Sequence, residues 1–265
     1  MNALLCVLSL ALLGAAPTGL SREGRLLFEA PPERLDARVG EWVTYQMDGG
    51  PQQGFLRLAV VAEQKDAQGR DAVWVELEFG QHSELKAPLA QFLMLVARDT
   101  GLRAEGVSRL FVTQGFEKPQ EVETNALPFF LGTPEKGTSR PALPPPAAQG
   151  SAGRSSTVNR GTPTRLMTHA GSVLAEPLEV RHRQLVLKRY WVSWEIPILR
   201  LAKLEFPPLR YTLEVRDHGV DARPRMVVPS PGDKKITLEP SGNLPPHFQL
   251  QPQSGTASGY EENRP

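Results

Sequence analysis

Residues 178–215 read LEVRHRQLVLKRYWVSWEIPILRLAKLEFPPLRYTLEV, and no other stretch constrains the fold as strongly. Apolar and polar side chains alternate there in several short runs, with Pro177, Pro197, Pro207 and Pro208 as punctuation. A period of two is the signature of strands with one buried face, and proline between such runs marks their borders. A chain with this pattern must build an antiparallel sheet and then find something to cover its apolar side.

The same pattern recurs upstream. Glu41 to Met47 alternates and ends at the turn cluster Asp48-Gly49-Gly50-Pro51, Phe55 to Ala62 is more continuously apolar, and Val73 to Phe79 places Val73, Val75, Leu77 and Phe79 on one face. With a hairpin connection at Asp66 to Arg70, these three strands form a meander. Glu76 and Glu78 fall on the face opposite Val75 and Leu77 and are expected to face water. From Ser83 to Arg98 the period changes: Leu85, Leu89, Phe92, Leu93 and Val96 recur at spacings of three and four, which predicts one amphipathic helix capped by Ser83. Ser108 to Thr113 reads as a further strand and Asn125 to Leu131 as a helical turn presenting Phe129 and Phe130. Five strands follow: Arg165 to Ala170, Leu178 to Leu185, Tyr190 to Ile196, Leu199 to Phe206 and Tyr211 to Val215. The expected fold is α+β and mainly β, a curved antiparallel sheet forming an unclosed half-barrel wrapped on one amphipathic helix.

Proline and glycine, 25 and 23 residues, concentrate in two places. Gly132 to Pro163 has few large apolar residues, so burial cannot offset the ~1–2 kcal/mol of backbone entropy lost per ordered residue. It reads as a disordered loop, and Ala222 to Pro265 as a mostly disordered tail, with Lys235 to Leu238 able to add an edge strand. The folded part is then a single domain over residues 37–221 interrupted by the loop 132–163, two small independent domains being the alternative.

Leu4 to Ala16 is almost wholly apolar, too short to cross a hydrocarbon core that needs ~20 helical residues, yet of the length of a secretory h-region. Residues 1–21 read as a signal peptide cut after Ala16 or after Ser21, an uncleaved anchor being the alternative. A periplasmic or secreted location follows. Cys6, the single cysteine, lies inside that run, so the mature chain is expected to have neither disulfide nor thiolate chemistry.

Lysine plus arginine total 30 against 29 acidic residues, interspersed, with no basic tract to neutralise successive phosphates. Nucleic acid is therefore not an expected partner. The five histidines are scattered without metal-ligand spacing, no nucleophile elbow occurs, and Gly132 to Ser139 lacks the lysine of a phosphate loop. No enzyme activity, metal or cofactor is expected. Glu179-x-Arg181-x-Arg183 could clamp an anion, but a solvated strand face with cross-strand pairs to Lys203 or Glu205 is preferred.

Tyr190-Trp191-Val192-Ser193-Trp194-Glu195-Ile196-Pro197 and the opening strand Gly40-Glu41-Trp42-Val43-Thr44-Tyr45 resemble strands of the periplasmic lipoprotein-localisation (LolA/LolB-like) superfamily. In that superfamily an unclosed antiparallel barrel wraps helices and holds acyl chains in its concave face. The long proline-rich excursion and the single helix depart from its pattern. The resemblance implies a lipid-like ligand or a lipidated protein partner. The expected contacts are Leu89, Phe92, Leu93 and Val96 on the helix and Trp191 and Trp194 on the sheet, those two tryptophans pointing to opposite faces of one strand. The alternative is an envelope structural or interaction protein whose core packs shut and whose proline-rich segments recruit an envelope partner.

Overall fold

The computed structural model describes residues 35–49, 53–100, 102, 106–114, 118–125, 127, 156–182, 184–228 and 235–237. Twelve strands join in one sheet: β1 (Trp42–Asp48), β2 (Gly54–Lys65), β3 (Asp71–Gly80), β4 (Ala90–Ala97), β5 (Val107–Gln114), β6 (Gln120–Val122), β7 (Ser156–Arg160), β8 (Thr164–Thr168), β9 (Gly171–His182), β10 (Leu185–Val192), β11 (Leu201–Phe206) and β12 (Tyr211–Gly219). The order is β6-β5-β4-β3-β2-β1-β12-β11-β10-β9-β7, with β8 pairing β9 beside β7, and all strand pairs are antiparallel. Among the described residues β6 and β7 do not meet, so the sheet stays open.

The sheet is curled, and a short segment shows by how much. Leu35 N–H donates to the Arg98 carbonyl at the end of β4 (2.9 Å), and Arg98 Nη1 returns to the Ala37 carbonyl (2.6 Å). Arg200, just before β11, donates from Nη2 to the Asp36 carbonyl (3.1 Å). β4 and β11 lie five strand steps apart, roughly 24 Å in a flat sheet at ~4.8 Å per step. Three residues span at most about 10 Å, so the two strands must bend toward each other around this brace. The concave face so formed carries Val43 and Tyr45, Leu56 and Leu58, Val75 and Leu77, Phe92 and Met94, Leu110 and Val112, Leu204, and Leu213 and Val215, all in one buried cluster.

The convex face is covered in its middle, against expectation. The extended segment Asp221–Met226, here the strap, starts with Ala222 N–H on the Gly40 carbonyl (2.8 Å) and crosses to Met226. Met226 joins Ala59, Val61, Leu93 and Phe111 in a second apolar cluster flanked by Trp42 and Trp74. Ten residues further on, Ile236 sits in the concave cluster and bridges Val122 in parallel, so the tail touches both faces. Of the edge strand expected over Lys235 to Leu238, residues 235–237 are described and make a single bridge at Ile236 rather than a strand.

Several expectations are corrected here. The helix over Ser83 to Arg98 is a loop followed by β4, and the helical structure described amounts to two 3₁₀ turns, Arg98–Thr100 and Pro207–Leu209, and one helical hydrogen bond from Leu127 N–H to Glu123. AQFLMLVA is apolar on both faces because both are covered: Phe92, Met94 and Val96 face the concave cluster, Leu93 the convex one. A strand buried on both sides loses its alternation, and the remaining spacings mimic a helix. Pro177 lies inside β9, where β9 passes from β8 to β7 and proline's missing N–H is harmless. Ser156–Arg160, within the stretch read as disordered, pairs with β9. Phe129 and Phe130 and the segment 1–34 lie outside the described residues.

Leu95 separates the two readings, since it lies off the apolar stripe of the expected helix but is buried in β4. Leu95→Ala is expected to lower unfolding stability by about 2–5 kcal/mol in urea titration; a loss under about 0.5 kcal/mol would contradict the strand.

Candidate functional site

The concave cluster is the larger of the two apolar clusters among the described residues, and a loop between strands contributes to it. Ser193–Arg200 connects β10 to β11 and drops Ile196, Ile198 and Leu199 into the concave cluster. Ser193 N–H donates to the Arg200 carbonyl (2.8 Å) and Leu199 N–H to the Pro197 carbonyl (2.8 Å), so the loop is tightly turned. The turn puts Ile198 at φ 64° and Arg200 at φ 54°. A β-branched residue in the left-handed region is costly, about 1–3 kcal/mol. Arg200 braces the loop internally through the Trp194 carbonyl (3.0 Å) as well as reaching Asp36. Leu35 and Ala37, on the brace, add two more buried side chains beside this loop.

Behind the plug the cluster is nearly all apolar, with the buried Lys188 ammonium at its edge, 4.8 Å from the Tyr190 ring and 5.8 Å from the Phe206 ring. Tyr45 is the polar residue fully buried within it: its hydroxyl donates to the Leu201 carbonyl (3.1 Å), and complete burial pushes the phenol far above its ordinary range. It therefore works as a neutral donor that ties β1 to the start of β11.

The six expected contact residues do not form one site. Phe92 and Val96 lie in the concave cluster, whereas Leu93 lies in the convex one. Leu89 precedes β4 and is exposed. Trp191 on β10 packs at the border of the concave cluster with the Lys203 ammonium 5.7 Å from its ring. Trp194 is not on a strand: it is 77% exposed on the plug loop, with the Arg200 guanidinium 5.4 Å from its ring. Ile196, Ile198 and Leu199 were missed, because apolar residues around Pro197 read as strand ends rather than as an inserted loop.

Charges run along a ladder over the other strands. Glu179 accepts from Arg181 and from Arg189 (2.8 Å), Arg189 lies 3.8 Å from Glu205, and Lys203 bridges Glu205 (3.2 Å) and Glu214 (3.3 Å). The Arg189 and Arg181 hydrogen bonds hold Glu179 below the usual carboxylate range. Glu179 thus pairs with Arg189 across the strands and with Arg181 on its own strand, not with the expected Lys203 or Glu205, which pair with each other. Among the described residues no group of His, Cys, Asp or Glu could hold a metal ion.

Glu76 and Glu78 are fully buried under the strap rather than water-facing. Glu76 Oε1 accepts the backbone N–H groups of Arg225 (2.9 Å) and Met226 (2.6 Å), while Glu78 accepts from Arg57 (2.9 Å), Arg225 (3.0 Å) and Gln91 (2.8 Å). Among the described residues Glu76 Oε2 has no hydrogen-bond partner, and Arg57 Nη1 is 3.6 Å away. Desolvation raises the Glu76 pKa above its ordinary 4.5, against the two strap N–H groups and Arg57 that lower it, with Glu78 raising it further.

No family model matches the chain, and no curated protein matches it. Solved structures with similar sheets include an exported protein with a YmcC-like fold from Bacteroides fragilis, 8% identical over 71% of this chain and 100% of that one, TM-score 0.31. They include MucB in the Pseudomonas aeruginosa MucA/MucB complex, 10% identical over 69% of this chain and 52% of that one, TM-score 0.28. An outer membrane lipoprotein-sorting protein domain from Vibrio parahaemolyticus is 9% identical over 68% of this chain and 84% of that one, TM-score 0.26. The likeness to these solved structures is one of low identity and low TM-score. At these scores it carries nothing about ligand or partner.

The Glu76 environment sets a pH dependence. A carboxyl whose folded pKa is raised adds stability that is present below its unfolded value and is lost as pH rises through the folded value. Glu76→Gln keeps an oxygen for the two strap N–H groups, so it is expected to be more stable than the parent at pH 7–8, with the gap closing as pH falls toward about 4.5. Thermal melts of both proteins across that range check this; a variant less stable at pH 7 and equal at pH 4 would reverse the assignment.

Proposed function

We propose that the chain is a non-enzymatic exported binding protein that holds a lipid-like ligand, or the acyl chain of a lipidated envelope partner, on its concave apolar face. Ile196, Ile198 and Leu199 fill that site when it is empty. The observation that carries the reading is the plug itself: three buried apolar side chains supplied by an irregular, strained loop at an open end of a curled sheet. The secretory-type run Leu4 to Ala16 supports an envelope location.

Magnitudes make the exchange feasible. Expelling three such side chains costs roughly 5–9 kcal/mol at ~1.5–3 kcal/mol each, and relieving the strain at Ile198 returns about 1–3 kcal/mol. A buried acyl chain gains about 0.8 kcal/mol per methylene, so roughly three to ten methylenes balance the plug and several more are needed to meet the cost of association. Binding therefore has a length threshold. The second reading, an interaction protein with a permanently closed core, is favoured by the very low exposure of the same cluster.

A chain-length series decides between them. Fluorescent fatty acids of about sixteen carbons are expected to bind and those of about eight to fail, and Ile196→Ser with Leu199→Ser is expected to lower the threshold. No uptake at any length, with no lipid in native mass spectra of protein purified from its own envelope, would leave the closed-core reading.

A further inference from the structure

The convex face holds a pocket that the concave site does not use. It lies between the strap and the loop that joins β3 to β4, and its volume is about 670 Å³, inside the roughly 300–1,000 Å³ range of small-molecule sites. One cross-strand row makes its floor: Asp217 on β12 opposes Thr44 on β1, which opposes Arg57 on β2. The β1/β12 register slips between Thr44 and Tyr45, whose partners are Asp217 and Val215, so Arg216 is an extra residue in the row. A bulge of this kind re-aims a side chain. Arg216 is thereby brought to the convex side beside Asp217, where its Nη1 donates to Gln46 Oε1 (2.8 Å). Trp42 closes one end with the Arg57 guanidinium 5.7 Å from its ring, and Gly219 makes room for the indole: a Cβ there would meet Trp42 Nε1 at 2.7 Å. The strap supplies Arg223 from above.

The donors of this pocket are underused. Arg57 is only 6% exposed, yet among the described residues it commits one nitrogen, Nη1, to Glu78 (2.9 Å). Arg216 likewise commits Nη1 alone, and the Arg223 side chain makes no hydrogen bond among the described residues. A guanidinium has five N–H groups, so most of the capacity of three converging arginines is unspent. The nearby acids are largely committed: Asp221 accepts from Trp42 Nε1 (2.8 Å) and Glu84 pairs with Lys86. Glu76 and Glu78, beside the floor and under the strap, offset Arg57 and Arg225 in charge. Selectivity here comes from convergent N–H groups rather than from a net positive field.

We infer that this pocket binds the anionic group, carboxylate or phosphate, of a small polar ligand. The anion accepts from Arg57, Arg216 and Arg223 while an apolar edge of the ligand rests on Trp42. Asp217 on the same row fits a ligand with a hydroxyl or ammonium donor next to its anion.

The indole N–H signal of Trp42, assigned with Trp42→Phe, reports on the site in ¹H–¹⁵N spectra. Titration of the full chain with inorganic phosphate and, separately, with citrate is expected to shift that signal saturably below about 10 mM. Response to phosphate alone, to citrate alone or to both names the anion class. Arg216→Gln with Arg223→Gln is expected to weaken binding at least about tenfold with an unchanged melting temperature; if that pair unfolds, Arg223→Gln alone takes its place. No saturable shift with either anion, or equal affinity in the variant, overturns the inference.

Discussion

A sheet of twelve strands with a continuous apolar face has two ways to bury it, a second layer or its own curvature, and the Leu35–Ala37 brace enforces the second. Arg98 and Arg200 hold alternate carbonyls of one short segment from opposite sides of the sheet. Each guanidinium donates to a backbone carbonyl that the segment would otherwise leave unpaired. Curling in turn creates an end that is open by geometry. The loop Ser193–Arg200 closes it with apolar side chains at the cost of a left-handed isoleucine. Curvature, mouth and plug follow from one constraint.

The convex face meets the opposite problem. Its middle strands carry Arg57, Glu76 and Glu78, and covering them with the strap removes all three from water. Isolated burial of such charges is prohibitive, so each must find partners. Glu78 gathers Arg57, Arg225 and Gln91, whereas Glu76 must rely on two backbone N–H groups of the strap itself. The strap is thereby fixed in register by a carboxylate, and the apolar cluster around Met226 seals beside it. Where the strap lifts away from the sheet, between Trp42 and Ser83, the space beneath it is the arginine-lined pocket.

Strand positions were legible wherever polar side chains alternate with apolar ones, even where, as at Glu76 and Glu78 in β3, the polar face is buried. β1, β3, β11 and β12 alternate and fall close to where the pattern put them. β4 was not legible, because a strand apolar on both faces shows no period of two, and its leucines by chance recur at helical spacing. The site was less legible still. Of the six expected contacts, Phe92 and Val96 face the concave cluster and Trp191 borders it, while Leu93 turned away and Trp194 stands outside on the plug loop. The plug residues Ile196, Ile198 and Leu199 had no signature of their own, since an apolar loop and an apolar strand end differ only in what they touch.

By itself the sequence determined that the chain forms an antiparallel sheet with an apolar face to bury, that Pro197 and Pro207-Pro208 fall between strands, and that no metal-ligand or nucleophile spacing is present. Those properties are local: side-chain alternation and the missing proline N–H act within a few residues. Tertiary structure decided which way the sheet curls, that Asp221–Met226 covers its back, and that Glu76, Glu78 and Arg57 are buried. Those outcomes depend on pairs such as Glu76 with Met226 and Asp36 with Arg200, which are separated by 150 and 164 positions along the chain. No local pattern encodes such pairs, because their energy exists only once the sheet between them has formed.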